Sequence, residues 1–170
     1  MVKQIYMADL THNLGSVSSW LFPLGVAYVS SYAKQVLGDQ FDFKLFKYPE
    51  KLSQAIIDDP PLVLGLSNYS WNIELAYKLS SWAKQLYPKL VVVFGGPNFP
   101  ITSKEKEKFL NSRSVIDFYI EHEGEIGFSE LLSQLQEYNF DAEALKQARV
   151  TIANCSYLSE DNLVEGKTQR

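Results

Sequence analysis

Cysteine is almost missing from this 170-residue chain: Cys155 is the sole one, so no disulfide can form within it. That argues against a small secreted domain stapled by disulfides. Positive charge is also short, with 16 Lys and Arg against 20 Asp and Glu and a formal net charge of −4. A nucleic-acid backbone or an anionic membrane rewards a basic surface, so neither is expected as the main partner. No apolar run approaches the length of a membrane span. The opening, Met1 to Asp9, is short and alternating, without a signal-peptide core or a small-residue cleavage site. A cytoplasmic location is therefore the expectation. Internal repeats and low-complexity segments are absent too.

What is present is an ordinary globular composition, 46% hydrophobic and 21% charged, at a length that suits one domain with a sizeable core. Residues 2–8 alternate and read as a strand ending at Asp9. A loop rich in Ser, Asn and Gly runs to Phe22, and Pro23 suits the first position of a helix, where its missing N–H costs nothing. Leu24, Ala27, Tyr28, Tyr32 and Val36 then recur at helical spacing, with Gly38 as C-cap. Residues 41–47 (FDFKLFK) alternate as a half-buried strand. A short helix follows Pro49 and stops at Pro60-Pro61.

Residues 62–66 (LVLGL) and 90–94 (LVVVF) are short apolar runs of the kind buried on both sheet faces. Between them a helix presents Leu75, Ala76, Leu79, Trp82, Ala83 and Leu86 on one side and ends at Pro88. Thr102 with Glu105 fits a capping box opening a charged helix. Residues 116–120 (IDFYI) read as a fifth strand, and a helix with Phe128, Leu131, Leu132 and Leu135 inward follows. Five βα repeats imply an α/β fold: a parallel sheet with helices on both faces, in the flavodoxin-like (Rossmann-like) order 2-1-3-4-5. Strands three and four would be central and strand two an edge. Residues 150–158 and 163–165 flank Ser159-Glu160-Asp161-Asn162 and predict a β-hairpin extension, with nothing beyond it to give a packed ending. The expected division is a domain over 1–140 and a connector over 141–170 that leads toward a further domain.

In an open parallel sheet, ligands bind beyond the C-terminal strand ends, where strand order reverses. Four loops lie there: 9–23, 67–72, 95–103 and 121–126. Gly65, Ser67, Gly95 and Gly96 are small and would let a flat or elongated ligand approach the backbone. Gly95-Gly96-Pro97 reads equally well as a tight turn. Tyr69, Trp71 and Phe99 could stack on a ring or cap the core. Glu121, His122, Glu123 and Glu125 could suggest a metal cluster, but neighbours on an extended loop point to alternate sides, which favours a solvated acidic loop. Cys155 has no activating neighbour in sequence and reads as a small strand residue.

Three segments, in order, carry a resemblance. Phe22-Pro23-Leu24-Gly25-Val26-Ala27-Tyr28 resembles the first-helix opening of the cobalamin-binding domain at the N-terminus of radical S-adenosylmethionine (radical SAM) enzymes. Val91-Val92-Val93-Phe94-Gly95-Gly96-Pro97 resembles that family's fourth strand. Asp117-Phe118-Tyr119-Ile120, then Gly124-Glu125 and Phe128-Ser129-Glu130-Leu131-Leu132, resembles its fifth strand and last helix. The hairpin resembles the connector into the radical SAM barrel.

The resemblance implies that this chain binds a corrinoid. The nucleotide tail would lie beside Gly65, Ser67, Gly95 and Gly96, and the corrin ring over the loops of the C-terminal edge. Pro23, Leu24, Gly25, Asn68, Tyr69, Pro97, Glu123, Gly124 and Glu125 are the further site candidates. Helix N-termini would hold amide and phosphate oxygens. Some cobalamin domains carry a DxHxxG cobalt-ligand pattern. Here Asp9-Leu10-Thr11-His12-Asn13-Leu14-Gly15 has His-x-x-Gly, but the Asp stands one residue early, so the partner that would orient the imidazole is missing. His12 is therefore expected to sit in the site region without ligating cobalt. One cysteine cannot supply the CxxxCxxC cluster motif, so the 4Fe-4S cluster and S-adenosylmethionine would belong to a downstream barrel of a parent enzyme, and this chain alone would not catalyse.

Two alternatives stay open. Thr11 to Ser19 is a loose phosphate-loop candidate for FMN or another nucleotide, and a vestigial domain could dock without a cofactor. A phosphorelay receiver is disfavoured, because the third strand ends Gly65-Leu66-Ser67-Asn68 with no Asp.

Overall fold

A computed structural model describes residues 3–11 and 22–169. The elements run β1 (Lys3–Ala8), α1 (Leu24–Leu37), β2 (Phe41–Phe46), α2 (Pro49–Asp58), β3 (Val63–Ser67), α3 (Ile73–Leu86) and β4 (Val91–Gly95). There follow α4 (Ser103–Asn111), β5 (Phe118–Ile120), α5 (Gly124–Glu137), α6 (Ala142–Gln147), β6 (Cys155–Ser159) and β7 (Asn162–Glu165). The sheet order is β2-β1-β3-β4-β5-β6-β7. The first five strands are parallel, in the order the βα repeats require. Direction along the sheet reverses once, between β1 and β3. Right-handed crossovers then place α1 on one face and α2, α3 and α4 on the other.

Side-chain alternation divides the core along the same plane. Ile5, Met7, Val63, Val91, Val93, Phe118 and Ile120 face α1 and α5. Tyr6, Ala8, Leu64, Leu66, Val92, Phe94 and Tyr119 face the other three helices. Thr102 caps α4: its hydroxyl accepts from the Glu105 amide at 3.4 Å and donates to the Glu105 carboxylate at 2.7 Å.

The hairpin is the sixth and seventh strand of this sheet. β6 runs antiparallel to β5, with Ile120 opposite Cys155. Glu160 and Asp161 turn it with φ of 48° and 64°, the conformation a two-residue type I′ turn needs. The expectation of an unpacked ending is corrected. Gly166 donates to the Cys155 carbonyl at 2.8 Å, and the Asn154 side chain clamps both backbone groups of Gln169. The stripe Leu24, Tyr28, Tyr32 and Val36 is corrected as well: it is exposed, and α1 instead buries Val26, Ser30 and Ala33. Small residues on that face let the helix lie close to the sheet and to α5.

The N-terminal edge of the sheet carries an ionic clamp. Asp117, 2% exposed, accepts from Lys84 at 2.6 Å, from Lys146 at 3.1 Å and from the Val92 amide at 2.8 Å. It thus joins α3, α6 and β4 well away from the C-terminal edge.

Candidate functional site

Strand register builds the site. Met7 pairs with Gly65, Gly65 with Val93, and Val93 with Phe118; one step toward the C-terminal edge, Ser67 pairs with Gly95 and Gly95 with Ile120. All these residues face α1 and α5. A cavity of about 560 Å³ opens between the sheet and the two helix starts. That volume lies in the range of small-molecule sites, roughly 300–1,000 Å³. Its walls are Gly25, Val26 and Val29 from α1 and Gly124, Glu125 and Phe128 from α5. Tyr28, Tyr69, Gly96, Pro97, His122 and Glu123 surround the mouth, and Asp9 stands at its edge.

The glycines differ in what they do. Among the described residues no atom lies within 4 Å of where a Gly25 Cβ would stand, so this position opens directly onto the cavity. A Cβ on Gly65 would stand 2.4 Å from the Met7 Sδ, so the space it leaves is taken by the thioether. Gly95 leaves its room against β5, where a Cβ would meet the Ile120 carbonyl at 3.3 Å. Gly96 serves the turn: its φ is +122°, and a Cβ would lie 2.9 Å from the Asn68 carbonyl oxygen.

Polar groups fix the two central loops. Asp9 accepts from the Ser67 hydroxyl at 2.5 Å and from the Asn72 amide at 3.3 Å, which joins β1, β3 and the start of α3. Asn68 is fully buried and does not line the cavity. Its amide donates to the Asn98 carbonyl at 2.7 Å and to the Tyr119 hydroxyl at 2.9 Å, while Asn98 donates back at 3.1 Å. Tyr119 donates in turn to the Gly96 carbonyl at 2.8 Å. Burial pushes the Tyr119 phenol far up, so it stays a donor. Asn68, expected as a site residue, therefore holds the two loops that border the cavity.

Of the other candidates, Gly25, Gly65, Ser67, Tyr69, Gly95, Gly96, Pro97, Glu123, Gly124 and Glu125 converge on one cavity. Pro23 and Leu24, at the start of α1, do not line it. His12 lies outside the described residues. Tyr69 stacks on Trp71 with centroids 4.5 Å apart, beside the mouth. Phe99 stacks on Tyr119 at 3.7 Å and caps the core. Glu121 turns away from the cavity to Lys106 at 2.7 Å and accepts from the Ser156 hydroxyl. Burial alone would lower the Lys106 pKa, but its bonds to Glu121 and Glu165 outweigh that and raise it. Among the described residues no three His, Cys, Asp or Glu side chains are gathered to hold a metal ion. Burial, reinforced by Glu121 and Glu130, pushes the Cys155 thiol up and leaves it inert.

Sequence reasoning missed Met7, Asp9, Val26, Val29, Val93, Ile120 and Phe128. Strand alternation carries the signal for three of them: Met7, Val93 and Ile120 fall on the same face as Gly65 and Gly95 once the register is known.

The structure thus presents an open α/β sheet with a cavity at its switch point, walled by two helix starts. A family model for the B12 binding domain matches residues 11–132. The chain belongs to this B12-binding domain family. It is 31% identical over 117 residues to the cobalamin-dependent radical SAM methyltransferase TokK of Streptomyces tokunonensis, covering 65% of this chain and 16% of that protein. It is likewise 31% identical over 116 residues to 2-(S-pantetheinyl)-carbapenam-3-carboxylate methyltransferase of Streptantibioticus cattleyicolor, with the same coverage. The chain thus spans about a sixth of the length of these relatives. The cobalamin-dependent S-adenosylmethionine radical enzyme OxsB, solved with aqua-cobalamin and S-adenosylmethionine bound, superimposes with a TM-score of 0.71 at 15% identity. That match covers 99% of this chain and 22% of OxsB, hairpin included, and shows the shared fold. The FMN alternative is not favoured by these matches. No helix among the described residues is long and apolar enough to cross a membrane.

Proposed function

We propose that this chain holds a cobalamin at the C-terminal edge of its sheet, as the cobalamin-binding part of a radical SAM enzyme. The observation that carries the reading is the cavity between α1 and α5, open at Gly25 and floored by Met7 over Gly65. The nucleotide tail enters there, past Ser67 and Gly95. The corrin ring lies over Tyr69, Gly96 and Pro97, with Pro23 and Leu24 at the outer rim. Glu123 and Glu125 accept from the ring's amide side chains, and the free N–H groups at the start of α5, from Gly124 onward, serve acceptor oxygens of the ligand. Asn68 positions the two central loops. His12 is left off the cobalt. When bound, the corrinoid supplies a redox-active cobalt able to carry an alkyl group.

The 4Fe-4S cluster and S-adenosylmethionine of such an enzyme would sit in a downstream barrel of the same polypeptide, in the reducing cytoplasm. Residues 141–170 form the connector to it. The length of the relatives leaves room for that barrel, and the exposed stripe of Leu24, Tyr28, Tyr32 and Val36 offers it an apolar face.

The test is retention. The 170-residue chain incubated with hydroxocobalamin keeps the corrinoid through gel filtration and does not keep FMN. Gly25→Leu places a side chain in open cavity space and lowers retention about tenfold or more, with the melting temperature unchanged or higher. Retention of FMN with loss of the corrinoid would overturn the reading. His12→Ala leaves the spectrum of the bound corrinoid unchanged; a shifted spectrum would make His12 the cobalt ligand.

A further inference from the structure

Two residues of the cavity floor pair across strands. Met7 in β1 lies opposite Gly65 in β3. The Met7 side chain does not stand upright from its own strand. It leans across, so that its Sδ lies 2.4 Å from the point a Gly65 Cβ would occupy and its Cε 3.0 Å from it. Met7 is 4% exposed and lines the cavity. The missing side chain of Gly65 is therefore a berth for the thioether, and Met7 borders the cavity from that berth.

The neighbours make Met7 the adaptable member of this floor. Val26, Val29, Val93 and Ile120 are β-branched and stiff at χ1. Phe128 is a buried ring whose edge lies 3.8 Å from the same Gly65 position. Methionine has three rotatable side-chain bonds and a polarizable sulfur that packs well against aromatic ring edges.

Resting on the corrinoid reading above, we propose that Met7 is the specificity-determining floor of the tail slot. Parked over Gly65, its thioether sets the depth the nucleotide can reach and meets the aromatic lower base of the cofactor. The role belongs to the tail alone. A corrinoid lacking the nucleotide, such as cobinamide, does not reach Met7.

The test uses the whole chain, hydroxocobalamin and cobinamide, and three variants. Gly65→Ala puts a methyl into the berth and drives the thioether into the slot. Cobalamin affinity falls about tenfold, the scale of an overpacked core site, while cobinamide affinity stays within about twofold. Met7→Ala added to Gly65→Ala removes the displaced group and restores cobalamin affinity to within about threefold of wild type. A merely structural role for Gly65 would give no such rescue.

A second readout needs no affinity. Met1 and Met7 are the only methionines, so a ¹³C-methyl-methionine spectrum holds two resonances. The Met7 methyl resonance shifts in ligand-free Gly65→Ala. In wild type it shifts on addition of cobalamin, through the ring current of the base, and stays put on addition of cobinamide. Uptake of neither corrinoid by wild type sinks the functional reading, and the Met7 role with it. If wild type takes up cobalamin but the double variant remains as weak as Gly65→Ala, the Met7 role alone fails. A Met7 methyl that ignores cobalamin has the same meaning.

Discussion

Gly25 and Gly96 border the same cavity, and replacing each by alanine has opposite consequences for stability. Gly96 sits at φ +122°, a region closed to residues with a Cβ, and the added methyl would lie 2.9 Å from the Asn68 carbonyl oxygen and 3.2 Å from its nitrogen. Both are backbone atoms. They are held by the Asn68 amide bonded to the Gly95 carbonyl at 2.6 Å and by the Asn98 amide bonded to the Asn68 carbonyl at 3.3 Å. Relief must therefore distort the turn. Backbone strain of about 1–3 kcal/mol adds to two weakened hydrogen bonds at about 0.5–1.5 kcal/mol each, for a total of about 2–6 kcal/mol. A domain of this kind holds about 5–15 kcal/mol in all. In urea the Gly96→Ala midpoint falls with the m value unchanged, and the melting temperature drops by about 4–24 °C. Gly25→Ala meets no described atom and gains helix propensity, raising stability by up to about 1 kcal/mol. A Gly96→Ala protein within about 1 kcal/mol of wild type, or a Gly25→Ala protein as damaged as Gly96→Ala, would refute the assignment of Gly96 to the turn and Gly25 to open space.

Asp117→Ala leaves Lys84 and Lys146 without their shared carboxylate and costs about 2–4 kcal/mol in chemical denaturation, below the full cost for a deeply buried pair because both lysines partly reach solvent; an unchanged midpoint would remove the clamp from the account of stability. Cys155 does not react with a disulfide reagent at pH 8 while the chain is folded and reacts as one thiol in denaturant, as burial of the thiol requires; rapid native labelling would contradict it. Glu165 has its carboxyl pKa lowered by the Ser103 hydroxyl, with Lys106 helping against the opposing effect of burial. A carboxylate with a depressed folded pKa contributes stability at neutral pH and loses it as pH falls through that pKa, below the ordinary carboxylate range. Glu165→Gln therefore flattens the acid side of the stability profile; a profile that keeps its full acid slope would show that Glu165 contributes nothing to it.

The parallel sheet was legible because Leu62 to Leu66 and Leu90 to Phe94 are apolar without alternation, which only a doubly covered strand allows. The buried face of α1 was not. Periodicity picks out large residues, Leu24, Tyr28, Tyr32 and Val36, whereas the helix packs through Val26, Ser30 and Ala33, where small size permits close approach. The six-residue α6 is too short to show a period, although Asp141, which accepts from the Ala144 amide at 3.0 Å, is a readable cap. The turn at Glu160 and Asp161 was visible in the sequence, but the pairing of β6 with β5 was not: it joins segments separated by two helices, and nothing local encodes it. Within the site, small residues at strand ends located the cavity correctly. They did not tell a berth for a neighbour, as at Gly65, from open space, as at Gly25, since that depends on which way Met7 leans. The loop-holding bonds of Asn68 were hidden for the same reason, because its partners Asn98 and Tyr119 come from other strands and loops.

The two walls of the cavity come from chain segments about a hundred residues apart, and they touch: a Cβ on Gly124 would lie 3.0 Å from the Val29 Cγ2. During synthesis at about 5–20 residues per second, the α1 wall leaves the ribosome about 5–20 s before the α5 wall exists. Until then the apolar row of Met7, Val93 and Ile120 lacks the α5 side of its cover. On the reading proposed above, corrinoid capture would have to wait for α5, Gly124–Glu137, to emerge. In stalled nascent chains of increasing length, the red colour of the cofactor would mark the moment at which the second wall arrives.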